Sequence, residues 1–235
     1  LNQFPSHLRG RLKVIHEGID LKGLNSLAKK EFEPFSCLPQ SPDIEVLTYV
    51  SRGFEEYRGF PQAMQAIALL QKQRPSLHVL IAGADIVAYG AKRSDGKTWG
   101  EWAKSEIGLD DARTHWLGML QDDDYLKVLA RSDVHFYLTV PFVLSWSLLE
   151  AMAAGCSIVS SSTPPVQEVL EHGQNALLVD FFDPKAQADA IASLLDNLEL
   201  RKRFSEAAKL AASSYSSDRG LAAWNELLEG IKTAS

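Results

Sequence analysis

The sequence predicts an α/β fold, a doubly wound parallel sheet of about six strands with helices on both faces and a helical C-terminal tail. Three observations carry that expectation. From residue 45 onward, short β-branched or apolar runs alternate with helical patterns. The helical stretches have recognisable starts and stops, and after Asp183 the pattern turns wholly helical. A length of 235 residues, 46% hydrophobic and 23% charged, suits one or two globular domains with a sizeable core.

Residues 1–44 stand apart. Their stretch from 21 to 44, with Pro34, Phe35, Pro39 and Pro42, lacks clean periodicity and reads as an interdomain linker or covering segment. Strands are expected at EVLTYVS (45–51), LHVLIAG (77–83), THWLG (114–118), DVHFYLT (133–139), SIVSS (157–161) and ALLVD (176–180). Pro61 opens the helix after the first strand, Asp122 to Asp124 precede YLKVLARS, and Pro164 and Pro165 open VQEVLEHG. Gly155 and Gly173 end two others. The segments AQADAIASLLDN, LRKRFSEAAKLAAS and LAAWNELLEGI make the tail, expected to cover one face of the sheet. Residues 45–235 thus read as a single Rossmann-like domain.

Composition excludes several classes of function. A net charge of −6 and a pI near 5.5 argue against a nucleic-acid binder, which would carry a basic face. Cys37 and Cys156 are far apart and form no zinc or redox spacing, which fits a reducing cytoplasm. The apolar run Phe136 to Trp146 is broken by Thr139, Pro141 and Ser145 and falls short of the roughly 20 residues of a membrane span. The chain begins with Leu1 and shows no signal-peptide pattern, so it reads as a fragment of a longer protein. GxGxxG follows none of the strands, which removes the usual dinucleotide signature. His115, His135 and His172 have no metal-ligand spacing. Asp122-Asp123-Asp124 contains a D-x-D spacing, but three acids opening a helix are explained by its positive end, so no metal site is expected.

The stretch Thr139 to Gly155, TVPFVLSWSLLEAMAAG, is the most informative one. A strand end runs through a Pro-kinked loop into a helix whose first turn is expected to carry Glu150. A helix start attracts a diphosphate through its free N–H groups and dipole, and a carboxylate there accepts hydrogen bonds from a ribose diol. The spacing Ser147-Leu-Leu-Glu150 also fits a capping box, the competing explanation. SRGFEEYRGF (51–60) adds two cations, Arg52 and Arg58, suited to a nucleotide diphosphate; the bland alternative pairs them with Glu55 and Glu56.

These residues, together with VIHEGID (14–20), LGM (117–119), LLEAMAAGCSIVSS (148–161) and PPVQEVLEHGQNALLVD (164–180), resemble the donor-binding C-terminal domain of a family 4 retaining glycosyltransferase of GT-B architecture. The resemblance covers nearly the whole chain. It implies that Arg52 and Arg58 meet the diphosphate and neutralise charge on the leaving nucleotide, Arg58 standing in for a more usual Lys. It implies that Glu150 binds the ribose and that the backbone at Met119 meets the nucleobase. The first Glu of the family's paired-glutamate pattern falls at Phe142, so either contact to the donor sugar passes to backbone N–H groups of Leu144, Ser145, Trp146 and Ser147, or the donor differs, or activity has been lost. Ser145 and Ser147 leave room for a phosphate, while the Trp146 side chain reads as core. Thr163, Pro164 and Glu168 start the next helix as plain capping or as site wall.

What the resemblance implies overall is metal-independent, retaining transfer from a nucleotide sugar, with no bound cofactor, in bacterial surface polysaccharide or lipopolysaccharide assembly. The carbohydrate or lipid-linked acceptor would be held by an N-terminal domain absent from this chain, without which the chain would be inactive. The longer protein would be cytoplasmic, with peripheral association at the inner face of the membrane. The rival reading is a non-catalytic nucleotide-binding or scaffold module of the same fold, with an epimerase on the same architecture further away.

Overall fold

The computed structural model describes residues 4–27, 33 and 35–233. β1 (Glu45–Gly53), β2 (Leu77–Ala84), β3 (Thr114–Gly118), β4 (Val134–Tyr137), β5 (Ile158–Ser161) and β6 (Leu177–Val179) form one parallel sheet. Its order is β3-β2-β1-β4-β5-β6. In β1 the two-residue alternation divides the interior: Leu47 and Tyr49 enter one core, Val46 the other. Both faces are therefore covered, which explains why the strands read as nearly continuous apolar runs.

Before the sheet, α1 (Ser6–Arg9) and α2 (Leu21–Leu27) lie in the segment set apart by the sequence reading. It is stitched to the domain. The Ile19 N–H donates to the Tyr215 carbonyl at 2.8 Å, and the Ser217 N–H to the Ile19 carbonyl at 2.9 Å. Leu38 joins a small core with Val46, Leu80 and Val128.

α3 (Phe60–Gln73) and α4 (Trp99–Glu106) cover one face; α5 (Asp122–Arg131) and α6 (Trp146–Ala154) cover the other. α3 starts at Gly59, whose φ of 62° is the left-handed conformation, with Pro61 in its first turn. A Cβ on Gly59 would meet Leu138 at 2.5 Å, so the residue also permits close approach to the end of β4. Phe60 is fully buried and stacks on Phe54 at 4.4 Å, burial worth about 1.5–3 kcal/mol. α4 has no counterpart among the sequence expectations, although Thr98 and Glu101 form a reciprocal capping box. α6 ends at Gly155 as expected.

α7 (Pro164–Gln167) lasts a single turn, shorter than expected, and Gly173 follows it in a separate turn. α8 (Pro184–Leu195), α9 (Leu198–Ala212) and α10 (Ser217–Thr233) make the helical tail. The tail does not lie on one face. α8 buries Ala188 and Ile191 in the core with α3, where α9 adds Phe204, whereas Ala208 and Ala212 of α9 enter the core with α6. The break at Asp196 and Asn197, where Asn197 caps α9, carries the chain around the sheet edge. No helix among the described residues is long and apolar enough to cross a membrane.

Candidate functional site

The strand order reverses direction at β1, with β2 on one side and β4 on the other. In open α/β sheets ligands bind outside the carboxyl ends of the strands at such a switch point. A cavity of about 430 Å³ lies there. The end of β1 supplies Ser51 and Arg52, the end of β4 supplies Tyr137 and Leu138, and the loop into α6 supplies Phe142 to Ser147. Arg58, Tyr89 and Glu17 complete the wall. Of the sequence-predicted residues, the cavity gathers Arg52, Arg58, Leu144, Ser145, Trp146 and Ser147.

The two arginines are held differently. Arg58 closes a short 3₁₀ turn (Glu56–Arg58), and its Nη1 donates to Tyr137 Oη at 3.3 Å, Thr139 Oγ1 at 3.2 Å and the Val143 carbonyl at 3.3 Å. All three acceptors are neutral, and Nε and Nη2 make no bond among the described residues. Its guanidinium lies 5.5 Å from the Phe142 ring centre and 6.0 Å from that of Tyr89. Arg52 lies within β1, is exposed, and has no ion pair or hydrogen-bonding partner among the described residues. The alternative pairing with Glu55 and Glu56 does not form: Glu55 turns instead to the backbone of residues 88–90.

Ser145 is the N-cap of α6, its hydroxyl accepting from the Ser147 N–H at 3.3 Å and lying 2.8 Å from Ser147 Oγ. The Ser145 N–H donates to Tyr137 Oη at 3.2 Å, which ties the helix start to the end of β4. Burial raises the Tyr137 hydroxyl above its ordinary pKa, and as a neutral group it accepts from both Arg58 and the Ser145 N–H. Trp146 is a correction: it is 55% exposed and lines the cavity, because it opens α6 beside the carboxyl ends of β1 and β4. Phe142 is half-buried between Tyr57 and Tyr89, so an aromatic cluster stands where a carboxylate was looked for.

Glu150 does not sit in the first turn. Ser145 caps the helix, which places Glu150 one turn further in, and the Ser147–Glu150 capping box does not form. Its carboxylate accepts from Tyr125 Oη at 2.9 Å, outside the residues that line the cavity. Burial raises the Glu150 pKa, the Asp122 charge pushes the same way, and the Tyr125 hydrogen bond opposes both. Met119 is also separate: 64% exposed, it lines a smaller cleft of about 250 Å³ with Gly83, Asp85, Lys104 and Trp116. Thr163 makes no side-chain cap, and its hydroxyl is buried without a partner. Glu168 borders a different surface cavity beside His172.

Asp122, Asp123 and Asp124 occupy the first turn of α5, where they favour its positive end. Among the described residues no group of three or more His, Cys, Asp or Glu could hold a metal ion. His115 lies 3.1 Å from His78, ring nitrogen to ring nitrogen, and burial lowers the pKa of both. Cys37 and Cys156 are both free thiols. Sequence reasoning missed Tyr89 and Tyr137. Tyr89 reaches the cavity from a loop far along the chain, with no local pattern to mark it; Tyr137 reads only as a strand residue.

A family model described as glycosyl transferases group 1 matches residues 38–211. Over 233 residues the chain is 26% identical to the D-inositol 3-phosphate glycosyltransferase of Corynebacterium urealyticum, across 98% of this chain and 53% of that protein. The chain spans about half the length of the curated relatives it matches. The crystal structure of a glycosyltransferase from Rickettsia africae superposes with a TM-score of 0.79 at 17% identity, across 96% of this chain and 59% of that one. Anabaena HepE in complex with UDP-glucose gives 0.73 at 19% identity, across 93% and 57%. At such identities the likeness establishes the fold, and the family match does the rest: the chain belongs to the glycosyl transferases group 1, with the Rossmann-like α/β fold of its GT-B members.

Proposed function

We propose that this chain is the donor-binding half of a glycosyltransferase that takes a nucleotide-diphosphate sugar and transfers its glycosyl group with retention. One observation carries the reading: two arginines without carboxylate partners among the described residues meet the N-terminus of α6 in a single cavity at the switch point of the sheet. An acidic chain that gathers positive potential at one spot has built an anion site there. Arg52, Arg58 and the α6 dipole meet the diphosphate, so the leaving charge is neutralised by the protein itself, without a metal or other cofactor. The UDP-glucose bound by Anabaena HepE supports a nucleotide sugar as donor.

On the same reading, Glu150 meets the ribose and the backbone near Met119 the base, which requires a ligand spanning both clefts. The acceptor, carbohydrate or lipid-linked, is held by a further domain of the longer protein, and the setting is surface polysaccharide or lipopolysaccharide assembly. Phe142 in place of a carboxylate favours the rival, a nucleotide-binding module without turnover. Turnover by the longer protein separates the two. The donor site itself is tested by a thermal-shift panel of UDP, GDP, ADP and their sugars, since a ligand at 100 times its Kd stabilises by about 2.7 kcal/mol. No shift with any of them sinks the donor-site reading.

A further inference from the structure

We propose that Glu55 is a positioning residue for this cavity, acting through the loop that delivers Tyr89 to its wall, and that Tyr89 is a ligand-binding residue. The inference rests on the nucleotide-sugar reading of the cavity. Glu55 is only 1% exposed. Its Oε2 accepts the backbone N–H groups of Ala88 at 3.1 Å, Tyr89 at 2.8 Å and Gly90 at 2.9 Å. Oε1 is buried without a partner. Arg52 and Arg58, three residues away on either side, leave this carboxylate alone among the described residues. A buried carboxylate held only by peptide dipoles is costly, so it persists where the loop it gathers is needed.

Tyr89 itself is 48% exposed, so burial does not decide where its ring lies. The backbone clamp does. The ring stands 5.4 Å from Phe142, and the Arg58 guanidinium lies 6.0 Å from its centre. An aromatic face there gives a bound ligand a stacking surface and keeps water from the cation that meets the phosphate. The loop is also fitted tightly to the end of β1: a Cβ on Gly53 would come within 2.7 Å of the Ile86 carbonyl oxygen.

The test is calorimetry of the 235-residue chain with UDP, GDP and ADP. Tyr89→Ala weakens the bound nucleotide by about tenfold. Glu55→Gln keeps an acceptor but loses its charge, which loosens the clamp and weakens binding several-fold; on a Tyr89→Ala background the same change adds less than about twofold. Should Glu55→Gln fail to fold, Gly53→Ala displaces the same loop from its other side, and the same comparison applies. An equal loss from Glu55→Gln in both backgrounds overturns the positioning role, because the effect would then bypass Tyr89. Binding indifferent to Tyr89→Ala overturns the inference alone. An unaltered chain that binds none of the three nucleotides overturns the underlying reading and the inference with it.

Discussion

β1 and β4 lie side by side, yet they carry opposite kinds of polar chemistry a few residues apart. In mid-sheet, Thr48 Oγ1 lies 2.8 Å from His135 Nδ1 and 2.7 Å from Ser132 Oγ. His135 Nε2 is buried without a partner, and burial pushes the ring's pKa down to about 4. At the carboxyl end of the same two strands, Arg52 and Arg58 stand without a counter-ion among the described residues. At mid-sheet the interior holds His135 by stripping its charge, since an unpaired ion there would cost far more than its hydrogen bonds return. The rim keeps its charge because solvent, neutral oxygens and aromatic faces support it. Uncommitted positive charge is what an anion site needs.

Acid breaks this comparison most strongly. A histidine with a folded pKa near 4 against an ordinary 6.5 binds its proton more readily in the unfolded chain. Its contribution to stability is therefore present above pH 6.5 and lost as pH falls toward 4, by as much as about 3 kcal/mol. Urea unfolding across that window should show the loss, and His135→Asn, which can still bond Thr48, should flatten it by about one proton. An identical slope in both proteins would mean that His135 is not sealed.

Arg58→Ala and Arg52→Ala sharpen the rim side. Each should weaken nucleoside diphosphate binding by about 1.5–3 kcal/mol, the range for hydrogen bonds to charged groups. They should part company in stability. Arg58→Ala removes one donor from Tyr137 and the side-chain donor to Thr139 and the Val143 carbonyl and should cost about 1 kcal/mol, while Arg52→Ala should leave the melting temperature unchanged. Unchanged affinity in both variants would remove the cavity from the site.

The sequence made one class of feature legible and hid another. LHVLIAG at 77–83 reads as a strand and is one, because burial on both faces leaves a nearly continuous apolar run between turn residues. Arg52 and Arg58 read as a pair because both flank one strand end. The sequence pointed to the wrong N-cap and so misplaced Glu150 within its helix: only Ser147 has a Glu three residues on, yet the fold caps the helix with Ser145, whose third residue on is Leu148. The tail's split over both sheet faces was hidden because α8 and α9 carry similar apolar stripes, and nothing local says that Phe204 of α9 joins the core of α8 while Ala208 and Ala212 join the other. Glu55 was legible only as a charge beside arginines; its partners lie 33 to 35 residues away, in the loop after the neighbouring strand β2.

Glu150 stands between the two regimes and gives the smallest effect. It is a half-buried acid whose pKa is raised by burial and by Asp122 against the pull of the Tyr125 hydroxyl. An acid whose folded pKa exceeds its unfolded value stabilises the fold at low pH, and that contribution is lost as pH rises through the raised value. At neutral pH the carboxylate is therefore a slight burden, and Glu150→Gln should leave stability unchanged or a little higher. Tyr125→Phe removes the hydrogen bond that supports the charge and should cost about 1 kcal/mol. Binding should run the other way under the proposed ribose contact. Glu150→Gln should weaken a ribonucleotide more than its 2′-deoxy counterpart, and Tyr125→Phe should move the acid-side loss of affinity to higher pH, because the carboxylate protonates sooner without its donor. Calorimetry from pH 5 to 8 on the three proteins reads both effects. Equal losses for ribose and deoxyribose ligands, with no displacement of the pH profile, would leave Glu150 and Tyr125 as a structural pair between α5 and α6 and confine the donor site to the arginine cavity.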